Sequence, residues 1–356
     1  MKVSRRELLR AGGVGAAAVV GGGVLGRIVQ AEEHHGAKPR GPMDHSGMGT
    51  VGVVDHARNG FDPSDILTDF EYGHTFMRDG RRIREYRIVA QDKDVEIAPG
   101  LFFPAWTYNG RIPGPTLRAT EGDRLRIEFV NGGAHPHTIH FHGLHSAQMD
   151  GVPGIGRGDV LPGDTFVYEF DAFPFGLHLY HCHSGPLKRH IHKGLYGAFI
   201  IDPDPALHPE EADAARRRSP EGVRAANIRE LVMVMNAFDA NFDAENEVYA
   251  VNSIAFAYQH APIRIQRDET VRVYLVNITE FDPINSFHLH GNFFDYYDTG
   301  TSLKPTVFTD TVMQCQAQRG ILEFNFRGYE PGMHMFHAHQ SEFVELGWMG
   351  FFDVTV

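Results

Sequence analysis

Four pairs of histidines, each with a single residue between its members, are the feature of this sequence most able to do chemistry. The pairs are His140 and His142, His181 and His183, His288 and His290, and His337 and His339. On a β-strand, side chains two residues apart share a face about 6.5 to 7 Å apart, so each pair presents two imidazoles side by side. One such pair could arise by chance or belong to a zinc site, but a zinc ion is saturated by four ligands. Eight imidazoles in four pairs therefore favour a multinuclear metal cluster, because so many histidines would be hard to satisfy with hydrogen bonds alone.

Cys182 stands between the two members of the second pair, and strand alternation directs its side chain to the opposite face, into its own domain. His137, three residues before His140, is predicted to face the same way, and His190 lies just downstream. One cysteine and two histidines form the ligand set of a blue copper electron-transfer site. The alternatives are a buried structural thiol or a disulfide to Cys315. A disulfide would leave the two extra histidines unexplained, so Cys315 is expected to be a buried free thiol.

These residues are predicted to lie on β-strands. Residues 124–130 alternate with a period of two, and the stretches 83–89 and 230–234 are rich in strand-forming residues. Turn sequences rich in Pro and Gly interrupt the strands at short intervals. A helical pattern competes only over residues 209–217.

The two halves of the chain repeat each other. Residues 121–127 resemble residues 267–273, and the stretch GLHLYHCH at 176–183 resembles GMHMFHAH at 332–339. This repetition predicts a duplicated all-β domain, a Greek-key sandwich or barrel. We expect the first domain at 63–205, a linker at 206–227 and the second domain at 228–356.

Composition narrows the function further. The 356 residues carry a formal net charge of -12 and include 22 His but only 2 Cys. The basic clusters are few and short, which argues against a nucleic-acid partner. A chain this rich in His and poor in Cys points to imidazole ligation of a metal rather than to a disulfide scaffold.

The first residues are typical of an export signal. Residues 4–10 spell SRRELLR, a twin-arginine pattern, and an apolar stretch too short and too rich in small residues to span a membrane follows. A signal peptide at 1–31 predicts a periplasmic or secreted protein with no membrane span after its removal; a membrane anchor or basic tail is the alternative. Residues 32–62 are expected to be a flexible arm. Its Met and His residues could bind copper loosely or could belong to a plain linker.

The chain resembles the multicopper oxidase family, specifically its small two-domain laccase-like members. The resemblance covers nearly all of the chain after the signal. It rests on IPGPT at 112–116 with GD at 122–123, HFHG at 140–143 with DG at 150–151, HCH at 181–183, FHLHG at 287–291 and HAH at 337–339. Such a set is highly specific.

The resemblance implies two cupredoxin-like domains, a type 1 copper and a trinuclear cluster of one type 2 and two type 3 coppers, four copper ions per chain. His137, Cys182 and His190 would hold the type 1 ion, and the eight paired histidines would hold the cluster. Among these, His140 and His288 would bind the type 2 copper and the other six the type 3 pair. Two-domain members close the cluster between the first domain of one subunit and the second domain of its neighbour, which implies a homotrimer.

The second half departs from the type 1 pattern at each ligand. The corresponding positions hold Asn285, Ala338, Phe343 and Trp348. We therefore expect a single type 1 copper, in the first domain. Its axial position is Leu195, which cannot coordinate, so its reduction potential should be high. Simple core packing of Leu195 is compatible with the same conclusion.

Two acidic residues could carry the protons that dioxygen reduction consumes. Asp150 lies at the spacing where the family places an acid near the cluster, and Glu342 follows His339 by three residues. Either could instead be an ordinary surface or turn residue.

The predicted activity is laccase-like: one-electron oxidation of a reducing substrate, with phenols or aromatic amines preferred, coupled to four-electron reduction of O2 to water. A cuprous-ion or other metal-ion oxidase is the second hypothesis, which the Met and His residues of the arm favour slightly. A copper nitrite reductase is less consistent with the sequence because its His-Cys motif lacks the second histidine, here His183. A copper-storage or electron-carrier protein would leave the eight paired histidines unexplained.

Overall fold

The computed structural model describes residues 52–356 and confirms the all-β prediction. The signal sequence and most of the expected arm, including its Met and His residues up to Met48, lie outside the described residues. No helix among residues 52–356 combines the length and the apolar character needed to cross a membrane.

Each half of the chain is built from two packed sheets. In the first half one sheet has the strand order β1-β5-β10-β9-β7, and the other has β2-β3-β6-β8 with β4 paired to β3. The strands are β1 (Phe70–Glu71), β2 (His74–Arg78), β3 (Arg81–Ala98), β4 (Leu101–Tyr108), β5 (Thr116–Thr120), β6 (Arg124–Asn131), β7 (His140–Phe141), β8 (Thr165–Asp171), β9 (Gly176–His181) and β10 (Tyr196–Asp202).

The second half has sheets ordered β12-β11-β14-β19-β16-β17 and β13-β21-β20-β15-β18. Its strands are β11 (Ile228–Phe238), β12 (Val248–Val251), β13 (Ile263–Gln266), β14 (Thr270–Asn277), β15 (Ile284–Leu289), β16 (Phe294–Asp298), β17 (Val307–Thr309), β18 (Thr311–Cys315), β19 (Arg319–Phe324), β20 (Gly332–His337) and β21 (Met349–Thr355).

Short helices connect and cap the sheets. They are α1 (His56–Asn59), α2 (Pro63–Ile66), α3 (Leu187–His192), α4 (Ala212–Arg218), α5 (Pro220–Ala225), α6 (Ala257–His260) and α7 (Ser341–Glu345). The helices α4 and α5 lie in the segment expected to link the domains. The structure corrects the extent of the arm, because α1 falls inside it and Asn59, 1% exposed, donates a hydrogen bond of 2.9 Å to the carbonyl of Glu96.

The internal repeat extends to strand pairing. β6 runs parallel to β3 and antiparallel to β8, and β14 runs parallel to β11 and antiparallel to β19. In the other sheet of each half, β7, β9 and β10 pair antiparallel in that order, as do β15, β20 and β21. The first histidine of each pair lies on β7, β9 or the equivalent β15 and β20, and the second lies one or two residues past the end of the same strand. Duplicated sequence therefore produces duplicated placement of the imidazoles.

Apolar side chains from both halves pack together in the interface between them. Leu177 and Leu179 of β9 belong to the same buried apolar cluster as Val232 and Val234 of β11. Beside it lies a buried network of ion pairs, in which Arg118 from the first half meets Glu230 from the second.

Arg118 donates to both carboxylate oxygens of Asp202, at 2.8 and 2.9 Å, and to Glu230 at 2.7 Å. Arg272 connects Glu230 to Glu323, at 3.3 and 2.6 Å. These charged residues are all buried. Removing one partner from such a network leaves an uncompensated charge inside the protein, so the network favours one arrangement of the halves.

Candidate metal centres

A buried thiol and two imidazoles meet at one point in the first half. The Sγ of Cys182 lies 3.2 Å from the Nδ1 of His190 and 3.9 Å from the Nδ1 of His137, and the two Nδ1 atoms are 3.2 Å apart. Cys182 and His137 have no exposed surface, and His190 is 3% exposed. The three residues that sequence parity placed on one side of the strand are thus brought together.

Local folding explains how each of them arrives there. Cys182 follows β9, and its backbone N–H donates to the carbonyl of Leu195 at 2.9 Å. His137 is held by a two-way backbone bridge to Val160, and His190 projects from α3. Leu195 is fully buried in the core that also contains Cys182. Neither free cysteine forms a disulfide, and Cys315 is exposed, which corrects the expectation that it would be buried.

The electrostatics of this centre suit a metal ligand set. Burial, with smaller contributions from His190 and His135, lowers the pKa of His137 to about 3. Burial likewise lowers the pKa of His190 to about 4 and raises that of the Cys182 thiol. The imidazoles are therefore neutral at pH 7, with lone pairs free to bind, and a bound cation is needed to stabilise the thiolate. One thiolate with two imidazoles fits copper.

The other face of the same strands carries the first set of four histidines, His140, His142, His181 and His183. Their ring centroids lie 5.0 to 5.8 Å apart. His140 of β7 pairs in register with His181 of β9. The Nε2 atoms of His142 and His181 approach to 2.9 Å. Burial lowers the pKa of these two imidazoles to about 3 and about 4, so both are neutral at pH 7.

The second half repeats this set with His288, His290, His337 and His339. The ring centroids lie 4.9 to 6.0 Å apart, His288 pairs with His337, and the Nε2 atoms of His290 and His337 are 2.8 Å apart. This set is more open, because His290 and His339 are exposed. Within residues 52–356, the ring contacts among the eight histidines stay inside each set.

Outer hydrogen bonds orient both sets in the same way. The Nδ1 of His181 lies 2.8 Å from the carbonyl of Cys182, and the Nδ1 of His337 lies 2.5 Å from that of Ala338. The Nδ1 of His140 and that of His288 contact the carbonyls of Asp150 and Asp310. Metal-binding histidines typically donate one ring N–H to such an acceptor, which leaves the other nitrogen for the metal.

In the second half, aromatic side chains fill the place of the thiol centre. The Nε1–H of Trp348 donates to the Oδ1 of Asn285 at 3.0 Å, and Phe343 stacks on Tyr249 with ring centroids 3.8 Å apart. Trp348, Asn285 and Ala338 have at most 1% exposure. The described second half therefore has neither ligands nor space for a second such centre.

Asp150 and Glu342 differ in their surroundings. The Oδ1 of Asp150 lies 3.0 Å from the Nδ1 of His140 and 3.6 Å from the Nε2 of His145. Glu342 is exposed in the first turn of α7. The sequence analysis did not include His145 among the site residues. Its position three residues after His142 was the one feature that could have pointed to it.

The chain matches family models described as "Multicopper oxidase" over residues 90–206 and 228–356. A solved crystal structure of a multicopper oxidase is 55% identical, with a TM-score of 0.78, and the match covers 85% of this chain and 100% of that one. Together with the curled sheets, this similarity confirms two cupredoxin-like domains.

Three curated relatives are similar to parts of the chain. The copper-containing nitrite reductase of Neisseria meningitidis serogroup A is 27% identical over 61% of this chain and 56% of its own length. Copper resistance protein A of Escherichia coli is 41% identical over 30% of this chain and 18% of its own. Laccase-2 of Botryotinia fuckeliana is 36% identical over 37% of this chain and 23% of its own. The chain thus aligns with at most about half the length of these relatives.

Proposed function

Because the chain belongs to the multicopper oxidase family, whose members are copper oxidoreductases that use a reducing substrate and O2, we propose that it is a laccase-like oxidase of phenols or aromatic amines. The observation that carries this proposal is the position of Cys182. Its thiol belongs to one buried centre, while its chain neighbours His181 and His183 belong to the first histidine set on the opposite face. An electron taken up at the thiol centre thus has a short covalent route to the histidines.

We assign the ligands as follows. His137, Cys182 and His190 hold a type 1 copper, with Leu195 at the axial position. The eight paired histidines hold three more coppers, His140 and His288 the type 2 ion and the other six the type 3 pair, which makes four per chain. When bound, these ions supply one-electron uptake at the thiol centre and four-electron reduction of O2 to water at the histidine sets. The neutral imidazoles and their outer hydrogen bonds favour this assignment, because they leave one ring nitrogen of each oriented histidine free to bind.

We further propose that two subunits complete each cluster, within a homotrimer. Each half of the chain supplies four histidines, their ring contacts stay within each set, and the second set has two exposed members. Because His290 and His339 are exposed, the second set lacks the cover that would enclose a bound metal, and a neighbouring copy of the chain is the expected cover. Measurement of the molar mass in solution, with and without copper, tests this assembly.

Asp150 is proposed to hold His140 in orientation and to pass protons toward the first histidine set. Its Oδ1 lies between the rings of His140 and His145, which is the position of a group that can exchange a proton with either side. Glu342, three residues after His339, is proposed for the same task near the second set.

Oxidation of cuprous ions in copper tolerance is a second proposal for the donor. Its support is the similarity to copper resistance protein A, which is 41% identical over 111 residues. The Met and His residues of the segment predicted to be a flexible arm also favour oxidation of cuprous ions. The twin-arginine signal would export the folded protein to the periplasm or the medium, which cell fractionation can test.

The deciding experiment combines metal analysis with oxygen uptake. The purified copper-loaded protein is given phenols, aromatic amines, Cu(I), Fe(II) and nitrite in parallel, with a Cys182→Ser variant as the matched control. Four coppers per chain with O2 uptake on phenols or amines support the laccase-like proposal, and uptake on Cu(I) alone supports the second. Two coppers per chain with nitrite consumption, or one copper and no O2 uptake, would refute both.

A further inference from the structure

Trp106 lies against both imidazoles of the thiol centre. Its ring centroid is 4.8 Å from that of His190 and 5.2 Å from that of His137. On its other side it meets the exposed His135, with centroids 4.7 Å apart. The indole on β4 is thus placed between the ligand set and the surface.

The ligands themselves cannot be reached from solvent. His137 has no exposed surface and His190 has 3%, so a donor in solvent would have almost no direct contact with either ring. Trp106, which contacts both imidazoles, is 7% exposed to solvent. It lines an open pocket of about 420 Å³ together with His135, Arg189, Lys193 and the acidic residues Asp92 and Asp94.

A second pocket of about 600 Å³ shares Arg189 of α3 with the first, but its walls do not include Trp106 or either ligand imidazole. It is formed around Phe242, Phe281 and the buried His192. Of the two pockets, the one over Trp106 is thus the one whose wall includes an aromatic ring in contact with both ligand imidazoles.

Backbone and charge both fix the indole in place. The backbone N–H of Trp106 donates to the carbonyl of Lys193 at 2.9 Å. The guanidinium of Arg189 lies 5.6 Å and the ammonium of Lys193 lies 5.7 Å from the ring centroid. Two cations beside the ring disfavour a long-lived indole radical cation, so an electron would cross the ring without net oxidation of Trp106.

We propose that Trp106 is the relay through which electrons from a donor in this pocket reach the thiol centre. The proposal rests on the proposed function, because it needs copper bound by His137, Cys182 and His190. In each transfer the donor loses one electron, the oxidised copper in the ligand set gains it, and a phenolic donor releases its proton to water. Trp106 is unchanged at the end of the step.

The test uses the copper-loaded, full-length protein with hydroquinone as the donor under anaerobic conditions. Stopped-flow bleaching of the copper–thiolate absorption is followed in wild type, Trp106→Phe, Trp106→Leu and the control Trp348→Phe. We expect bleaching to slow about tenfold in Trp106→Phe, roughly 1.4 kcal/mol of barrier, and further in Trp106→Leu, with the control unchanged. The reduction potential and the electron paramagnetic resonance spectrum are measured on each variant, because a merely structural role would change those.

Tryptophan emission gives a readout that needs no turnover, since the chain has only two tryptophans. In the Trp348→Phe protein, emission from Trp106 should be strongly quenched by oxidised copper and recover when the copper is removed. Weak quenching there would overturn the proposal. An unchanged or faster bleaching rate in Trp106→Phe would overturn it too, the faster rate identifying Trp106 as a lid. A wild-type protein without copper–thiolate absorption would instead refute the proposed function itself.

Discussion

The indole of Trp348 donates a hydrogen bond of 3.0 Å to the side-chain carbonyl of Asn285 at the place in the second half that corresponds to the thiol centre of the first. The same position in the duplicated fold thus serves two purposes. In the first half it gathers ligands, and in the second it is packed with aromatic volume. The two halves differ at the ligand positions and at the axial position, while both keep the outward-facing histidines.

Replacing Trp348 by Ala should destabilise the protein by about 3 to 5 kcal/mol, because the fully buried ring leaves a cavity. Trp348→Phe should cost less, on the order of 1 kcal/mol, since most of the volume remains and Asn285 keeps its bond from the Ser286 N–H. Denaturant unfolding of the copper-free proteins measures both. Equal costs for the two variants would contradict the cavity argument.

Replacing Cys182 by Ser should abolish the intense visible copper–thiolate absorption and remove one copper per chain, while copper at the histidine sets is retained. The reason is that Cys182 supplies the only thiol of its centre, whereas the paired histidines face away from it. Metal analysis and absorption spectroscopy test this, with Cys315→Ser as the control because that thiol is exposed. Loss of all copper from the Cys182 variant would show that the two kinds of site are not independent.

Replacing Asp150 by Asn should slow O2 reduction by about a hundredfold if the carboxylate delivers protons, with copper content within a few tenths of wild type. Asn can still accept a hydrogen bond from His140 but cannot carry a proton. Glu342→Gln is the comparison, and its effect should be smaller because Glu342 is exposed on α7. The rate of steady-state oxygen uptake at saturating donor measures the effect of each variant. A full rate in Asp150→Asn would leave the residue with an orienting role alone.

Replacing Arg118 by Met should destabilise the protein by about 3 to 5 kcal/mol, because Asp202 and Glu230 lose their shared cation inside the interface between the halves. Arg87→Met is the matched control. That residue pairs with Glu128 at the surface, with side-chain exposures of 65% and 47%, and should cost at most about 1 kcal/mol. Chemical denaturation reports both values, and similar costs would argue against a structural role for the buried network.

His192 should make the stability of the copper-free protein depend on pH. Burial, aided by Lys193 and Lys188, lowers its pKa to about 3 in the folded state. Below pH 6.5 the unfolded chain binds a proton that the folded chain does not, so stability falls as pH falls toward 3. Between pH 7 and pH 5 this residue accounts for a loss of about 2 kcal/mol.

His192→Gln removes the titrating group while retaining an acceptor for the Asp239 N–H, which bonds to the His192 Nε2 at 3.0 Å. The variant should therefore lose less stability than wild type over that range. Unfolding midpoints at both pH values measure the difference. An identical pH dependence in the two proteins would mean that His192 is not neutral in the fold.

Local pattern was enough to predict which of the candidate ligand side chains share a face. The spacing of two between paired histidines fixes a shared face on a strand, and the same parity turns Cys182 to the other side, so the two ligand groups were separable before any fold was known. The duplication of the pattern likewise predicted a duplicated all-β domain, in which the structure places the equivalent strand pairs β7–β9 and β15–β20. Side-chain direction follows from the pleat alone, which is a property of neighbouring residues.

Contacts between distant segments were decided only by tertiary packing. Nothing around Trp106 in the sequence connects it to His190, because the two meet through the approach of β4 to α3. The contact of His145 with Asp150 and the exposure of Cys315 were likewise decided by packing. The exposure of His290 and His339 was likewise not predictable from strand periodicity, because it depends on which segments pack around them. Periodicity determines which way a side chain points, whereas the identity of what it meets depends on the whole chain.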